Sequence, residues 1–289
     1  GPVITQGDGP LSVTMSEDSD PMDFVRPMLG ATDVDSGTLT WSLLAAATNG
    51  TATVSGSGNS ATDLDYTPTA DYTGSDNFTV QVSDGALSDM IEINVTIEPV
   101  NDGPVIDQGS GPLPVTMEED GTFNAPTVTA TDTDTANDAL TWSVITAPAH
   151  GTATVSGTGA TPPTFDYVPE ANFNGTDTFT IQVSDGSLAA MIGIDVTVNP
   201  VNDDPTIVSS GTTVTMNEDG ASPDFSALSI SATDIEGANG DFAWAVSTQA
   251  TKGTAAVTPS GANPFIVYVP ILNENGTDTF TLTLSDGDG

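Results

Sequence analysis

The sequence predicts an all-β chain made of three copies of one two-sheet sandwich, the third copy lacking its last strand. Three observations predict it. Motifs recur with a period of about 101 residues, far longer than the repeats of solenoid proteins. The segments between Gly, Pro, Asn and Asp punctuation are short, rich in Thr and Val, and alternate apolar with polar. No stretch keeps a helical period.

The repeat sets the domains. Gly1-Pro2-Val3-Ile4 returns as Gly103-Pro104-Val105-Ile106, and Val13 to Asp18 returns as Val115 to Asp120 and Val214 to Asp219. Trp41 recurs as Trp142 and Trp244, and Tyr66, Tyr167 and Tyr268 each precede a Pro by two positions. GSDNFTVQVSDG at 74–85 returns as GTDTFTIQVSDG and GTDTFTLTLSDG, and the linker PVNDGP at 99–104 returns as PVNDDP at 200–205. The expected domains are 1–102, 103–203 and 204–289. The chain closes just after Ser285-Asp286-Gly287, where the counterpart of the 88–97 strand should follow, so the third copy is expected to be truncated.

Within a copy, Phe179-Thr180-Ile181-Gln182-Val183 and Ile192 to Val198 alternate as half-buried strands do. About seven strands are expected in the second copy, near 113–117, 123–131, 139–145, 151–156, 164–168, 177–183 and 190–198. Seven antiparallel strands in a unit of this length give a sandwich of immunoglobulin type, with Trp41, Trp142 and Trp244 as core residues of the third strand.

Charge narrows the function. Forty acidic residues, 31 Asp and 9 Glu, face only Arg26 and Lys252, for a net charge of −38. Phosphate binding needs Lys and Arg, so nucleic acid is excluded as a partner, and anionic membrane surfaces are disfavoured. No apolar run is long enough to embed the chain in a membrane as a helix. With no cysteine, disulfides are excluded, and stability must come from the cores or from metal. The excess of Asp over Glu suits tight loops and calcium coordination, while a solvated, salt-adapted surface accounts for part of it. Catalysis finds no footing: the single histidine, His150, reads as a solvated turn residue, and no nucleophile–base motif appears.

The recurring acids fall at strand ends. In a sandwich of this strand count, Asp33, Asp35 and Asp84 lie at one pole, with Glu17 and Asp76 at the other beside the exit linker. Stacking copies end to end makes Glu17, Asp76, Asn101 and Asp102 face Asp132, Asp134 and Asp185. The same stacking sets Glu119, Asp177, Asn202 and Asp203 against Asp234, Glu236 and Asp286. So many carboxylates converge only around a cation, and an all-oxygen ligand set selects Ca2+. The competing reading has these acids cap turns and satisfy backbone groups.

These motifs resemble the bacterial cadherin-like repeats, of VNDAP type, found in large surface proteins and adhesins, over the whole chain. ATDVDSG at 31–37 resembles the cadherin Asp-x-Asp calcium motif, and SDG at 83–85 the aspartate loop before the last strand. Glu17, Glu119 and Glu218 resemble the glutamate ending the first cadherin strand, and Asn101-Asp102 and Asn202-Asp203 the Asn-Asp of the calcium linker. The chain departs from the pattern too. Pro99 and Pro200 replace a linker aspartate, the Asp-Arg-Glu motif is missing with only Asp71 and Asp76 nearby, and the third Asp-x-Asp reads Asp234-Ile235-Glu236.

The resemblance implies calcium held between domains and an extracellular spacer on a bacterial surface, its partners being neighbouring repeats or identical subunits. The departures imply one or two ions per joint, with occupancy differing between joints. Two other readings stand beside it. One is an adhesive module recognising glycans or cell surfaces, its candidate patch being Met22-Asp23-Phe24-Val25-Arg26. The other is a filament subunit whose open third domain accepts a strand from a neighbour.

Overall fold

Two complete eight-stranded sandwiches and a smaller third unit follow one another along the chain. The structure, a computed structural model, describes residues 1–18, 24–35, 38–209, 212–217, 230–235 and 242–286. In the first unit the strands are β1 (Val3–Ile4), β2 (Leu11–Ser16), β3 (Ala31–Thr32), β4 (Thr40–Ala45), β5 (Gly50–Ser57), β6 (Asp63–Pro68), β7 (Gly74–Ser83) and β8 (Ser88–Glu98). The second repeats them as β9 (Val105–Ile106), β10 (Leu113–Glu118), β11 (Ala130–Thr131), β12 (Thr141–Thr146), β13 (Gly151–Thr158), β14 (Thr164–Pro169), β15 (Gly175–Ser184) and β16 (Ala189–Asn199). In the third lie β17 (Thr206–Val208), β18 (Ser231–Thr233), β19 (Ala243–Thr248), β20 (Gly253–Val257), β21 (Ile266–Pro270) and β22 (Thr281–Ser285).

One sheet of the first unit runs β2-β8-β7-β4-β5-β6, and β1 pairs with β3 opposite it. The second unit has the same order, β10-β16-β15-β12-β13-β14, with β9 on β11. The β2–β8 and β10–β16 pairs are parallel, and the other strand pairs are antiparallel. Alternation explains why β7 and β8 sit at the centre. Phe78, Val80, Val82, Ile91, Ile93 and Val95 all point inward and are buried, while their sequence neighbours face out. Trp41, Trp142 and Trp244 are buried, and each indole N–H donates to a glycine carbonyl: Gly58, Gly159 and Gly261, at 3.1, 2.8 and 2.9 Å. They are core residues, as their position in the sequence predicts.

The strand count differs from expectation. The segment foreseen as a strand over 123–131 pairs only at β11, because Pro126 has no N–H to give a ladder and restrains Ala125 before it. Its Phe123 is buried all the same, against Phe165 and Tyr167. The additional strand, β9, is two residues long.

The third unit shows β19–β22, β20–β21 and β17–β18 as separate two-stranded ladders. Among the described residues, no strand lies on the edge of β22 that corresponds to the β7–β8 ladder. The stretch 212–217, equivalent to β2, is not a strand, which follows from the lack of a partner for it to pair with. Leu282 and Leu284 are only partly buried where Val80 and Val82 are fully buried. The truncated third sandwich expected from the sequence is what the described residues form.

Candidate metal centre

Two kinds of recurring acid separate in the structure. Asp76 and Asp177 are buried inside their own units, with every oxygen engaged. Asp76 accepts from the N–H groups of Thr48 (3.0 Å), Asn49 (2.8 Å) and Asn77 (2.9 Å) and from the Tyr66 hydroxyl (2.9 Å). Asp177 accepts from Ala149, His150 and Thr178 N–H and from Tyr167, at 2.9, 2.8, 2.9 and 3.0 Å. Asp278 repeats the pattern with Thr251, Lys252, Thr279 and Tyr268. Burial alone would raise the Asp76 and Asp177 carboxyls, but these hydrogen bonds outweigh it and hold both below the ordinary range. Burial, then the bond to the carboxylate, pushes the Tyr66 and Tyr167 hydroxyls well above the ordinary phenol value. The sequence reading placed Asp76 and Asp177 in the metal set. In the structure four donors already take up the oxygens of each, inside its own unit.

The second kind gathers at the first joint. Glu17 is 3% exposed, and its Oε1 accepts the N–H of Val100 in the exit linker at 2.8 Å. The linker then reaches into the next unit: Asn101 Nδ2 donates to Asp185 Oδ2 (2.7 Å), and the Asp102 N–H donates to Asp134 Oδ2 (2.6 Å). Asp132 Oδ1 accepts from Asp134 and Thr135, at 3.0 and 2.6 Å, which folds the Asp-x-Asp loop back toward the linker. The remaining oxygens Glu17 Oε2, Asp102 Oδ2 and Asp132 Oδ2 are buried and accept no hydrogen bond. Loss of water, and then the carboxylates of Asp18, Asp134, Asp71 and Glu17, raise the Asp102 carboxyl. Asp185 moves the other way, held low by Asn101 and by the Ser187 and Leu188 N–H groups.

The second joint repeats part of this. Glu119 Oε1 accepts the Val201 N–H at 2.7 Å, and Glu119 Oε2 is buried without a hydrogen bond. Asn202 Nδ2 donates to Asp286 Oδ2 at 2.6 Å, and both Asp203 and Asp234 engage neighbours. Glu236 and Glu218 lie outside the described residues. At the opposite pole of the first unit, Asp33 Oδ1 accepts the Asp35 N–H at 2.8 Å. There Asp84 Oδ1 accepts Ala86 and Leu87 N–H at 2.7 Å each, turn contacts that hold its carboxyl low.

The structure also brings together two acids that the sequence does not single out as candidate ligands. Carboxylate oxygens of Asp18, Asp71 and Asp102 lie within 4.8 Å of one another. Asp18 was visible as the partner of Glu17 in the recurring Glu-Asp pair. Asp71 was visible only as an acid near the missing Asp-Arg-Glu motif. Asp71, Asn172 and Asn273 occupy the same place in the three units and share a left-handed conformation, with φ of 59°, 61° and 60°. The structure also places the adhesive segment in part, and the histidine. Phe24, the aromatic of the proposed adhesive segment, is buried against Tyr66, and Arg26 pairs with Asp65 at 2.8 Å; Met22 and Asp23 lie outside the described residues. His150 stacks on Phe173 with centroids 4.4 Å apart.

Three successive stretches, residues 1–96, 101–198 and 202–289, match the family model of the bacterial Ig domain. Among solved structures, the chain is similar to extracellular cadherin domains 1–5 of protocadherin gamma B2. There the identity is 16% and the TM-score 0.52, over 97% of this chain and 60% of that one. It is similar also to the protocadherin gamma B4 extracellular domain, at 14% identity and TM-score 0.52, over 95% of this chain and 47% of that one. The chain thus spans less than two thirds of either. At these identities the likeness is one of fold. No match is found among curated protein sequences.

Proposed function

Since the chain belongs to the bacterial Ig domain family, matched three times over, we propose that it is a spacer or stalk segment of a bacterial surface protein, stiffened by calcium at its joints. Its units, 1–102, 103–203 and 204–289, serve as rods, and the ions serve as the couplings between them. Tandem sandwiches of this type are adhesion and stalk modules, which supports a structural role at the cell exterior rather than catalysis.

One observation carries the reading: at the first joint Glu17 Oε2, Asp102 Oδ2 and Asp132 Oδ2, one from the first unit, one from the linker and one from the second unit, are each buried without a hydrogen bond. A buried, unneutralised carboxylate is costly, and a hard divalent cation is the partner that satisfies several at once. Oxygen donors alone, from carboxylates and the linker amide Asn101, suit calcium and not a transition metal. Glu17, Asp102, Asp132, Asp134, Asp185 and Asn101 would hold the ion at the first joint, and Glu119, Asn202, Asp203, Asp234 and Asp286 at the second. When bound, the ion replaces repulsion between linked units with shared coordination.

Thermal unfolding in millimolar calcium, in EGTA and in magnesium tests the proposal. A rise in melting temperature with calcium alone is expected, and Asp132→Ala with Asp134→Ala removes most of it. Equal melting in all three solutions would overturn it.

A further inference from the structure

We propose that the two joints fill in order: the first, with Asp71 as an added carboxylate ligand, takes calcium at lower concentration than the second. Between the two concentrations the chain is stiff from the first unit to the second and bends between the second and the third. This rests on the calcium reading above and adds to it a ligand and a direction.

The grounds are specific to this chain. Asp71 joins Asp18 and Asp102 in a group whose carboxylate oxygens lie within 4.8 Å of one another. A second observation lies beside that group. Glu17, the chain neighbour of Asp18, is 3% exposed; its Oε1 accepts the N–H of Val100, two residues before Asp102, and its Oε2 has no hydrogen bond, while Asp102 Oδ2 is also buried and without one. At the second joint the corresponding residues are Asp120, Asn172 and Asp203, so a neutral amide stands where the first joint has a carboxylate. The two positions have the same backbone, φ 59° at Asp71 and 61° at Asn172, in a region that Asp and Asn both tolerate. The difference between the joints at this point is therefore one negative charge on an unchanged scaffold. Calcium sites of one architecture span decades of affinity, set by how many charged ligands they carry and how rigidly these are held.

Reciprocal exchange of the two residues is the test. Calcium is titrated into the full chain by isothermal calorimetry in chelator-treated buffer, with Asp71→Asn and Asn172→Asp alongside. The unaltered chain is expected to show two separable phases. Asp71→Asn weakens the tighter phase about tenfold, the scale of losing one charged ligand, and Asn172→Asp tightens the weaker one by a similar factor. Melting in EGTA checks that each variant folds as the parent does. If calcium binds and neither exchange moves either phase, the ordering is overturned while the calcium reading stands. If the unaltered chain takes up no calcium, both fail together.

Discussion

A buried carboxylate is tolerable only when donors meet its oxygens, and Asp177 shows how completely this chain does so. Its Oδ2 takes the His150 N–H and the Tyr167 hydroxyl, and its Oδ1 the N–H groups of Ala149 and Thr178. Asp177→Asn turns an NH2 toward two of these donors, so it should destabilise the second unit by about 2–4 kcal/mol, the cost of unmet buried donors. The pH dependence follows from the depressed carboxyl. Stability contributed by a carboxylate whose folded pKa is lowered is fully present above its unfolded value, about 3.9, and is lost as pH falls through the folded one. Urea midpoints of parent and variant should therefore differ by a constant amount above about pH 4 and converge below it; a gap persisting undiminished to pH 2 would refute the assignment. The same tyrosine explains a glycine. A Cβ at Gly151 would stand 2.7 Å from the Tyr167 ring and 2.6 Å from the Val168 carbonyl. Gly151→Ala should cost about 1–3 kcal/mol by displacing that ring, measured by the same unfolding series. Spacing alone could not separate Asp76 and Asp177 from ligands, because both kinds of acid recur with the repeat. What separates them is which donors surround them, and that is decided by strands far apart in sequence.

At the scale of the element, alternation made the strong strands legible and proline hid the weak one. β15 and β16 were readable because each second residue is apolar and the ladder between them runs unbroken from Gly175↔Val198 to Ser184↔Ala189. The β11 segment was not, since its apolar residues promise a long strand while Pro126 denies the backbone a partner. The bulge in β4 between Leu43 and Ala45, repeated in β12 and β19, left no mark that periodicity could detect. Pairing also ranks the stability of equivalent strands. β7 and β15 are ladder-bonded on both edges, whereas β22 is paired with β19 on one edge. Its alternate residues Leu282 and Leu284 are only partly covered. Hydrogen exchange at Thr281–Ser285 should accordingly run orders of magnitude faster than at Thr79–Ser83 and Thr180–Ser184, since local opening there breaks one ladder and little apolar burial. Equal protection across the three strands would mean that β22 has a partner on its outer edge.

Over the whole molecule, a net charge of −38 acts against any compact arrangement of the units, and it is the joints that must answer it. The first linker supplies an amide and a backbone N–H to the next unit, Asn101 to Asp185 and Asp102 to Asp134, and the second supplies an amide, Asn202 to Asp286. Contacts of this kind, partly open to water, contribute about 1 kcal/mol each, too little to fix the angle between two rods that repel. Salt would relieve the repulsion without supplying a bond, because screening beyond a Debye length of about 10 Å at 0.1 M leaves short-range geometry unconstrained. Calcium bound as proposed would do both, so the two treatments should part company. With no native cysteine in the chain, spin labels can be placed through Thr53→Cys and Thr154→Cys, both on exposed positions of β5 and β13. Pulsed dipolar spectroscopy should then show a broad distribution of distances in EGTA. It should stay broad when sodium chloride is added to the ionic strength of the calcium sample, and collapse to a narrow one in calcium. Narrowing by sodium chloride alone would mean that repulsion, not missing coordination, loosens the joint. A distribution already narrow in EGTA would mean that the linker hydrogen bonds suffice and the ion has no mechanical work to do there.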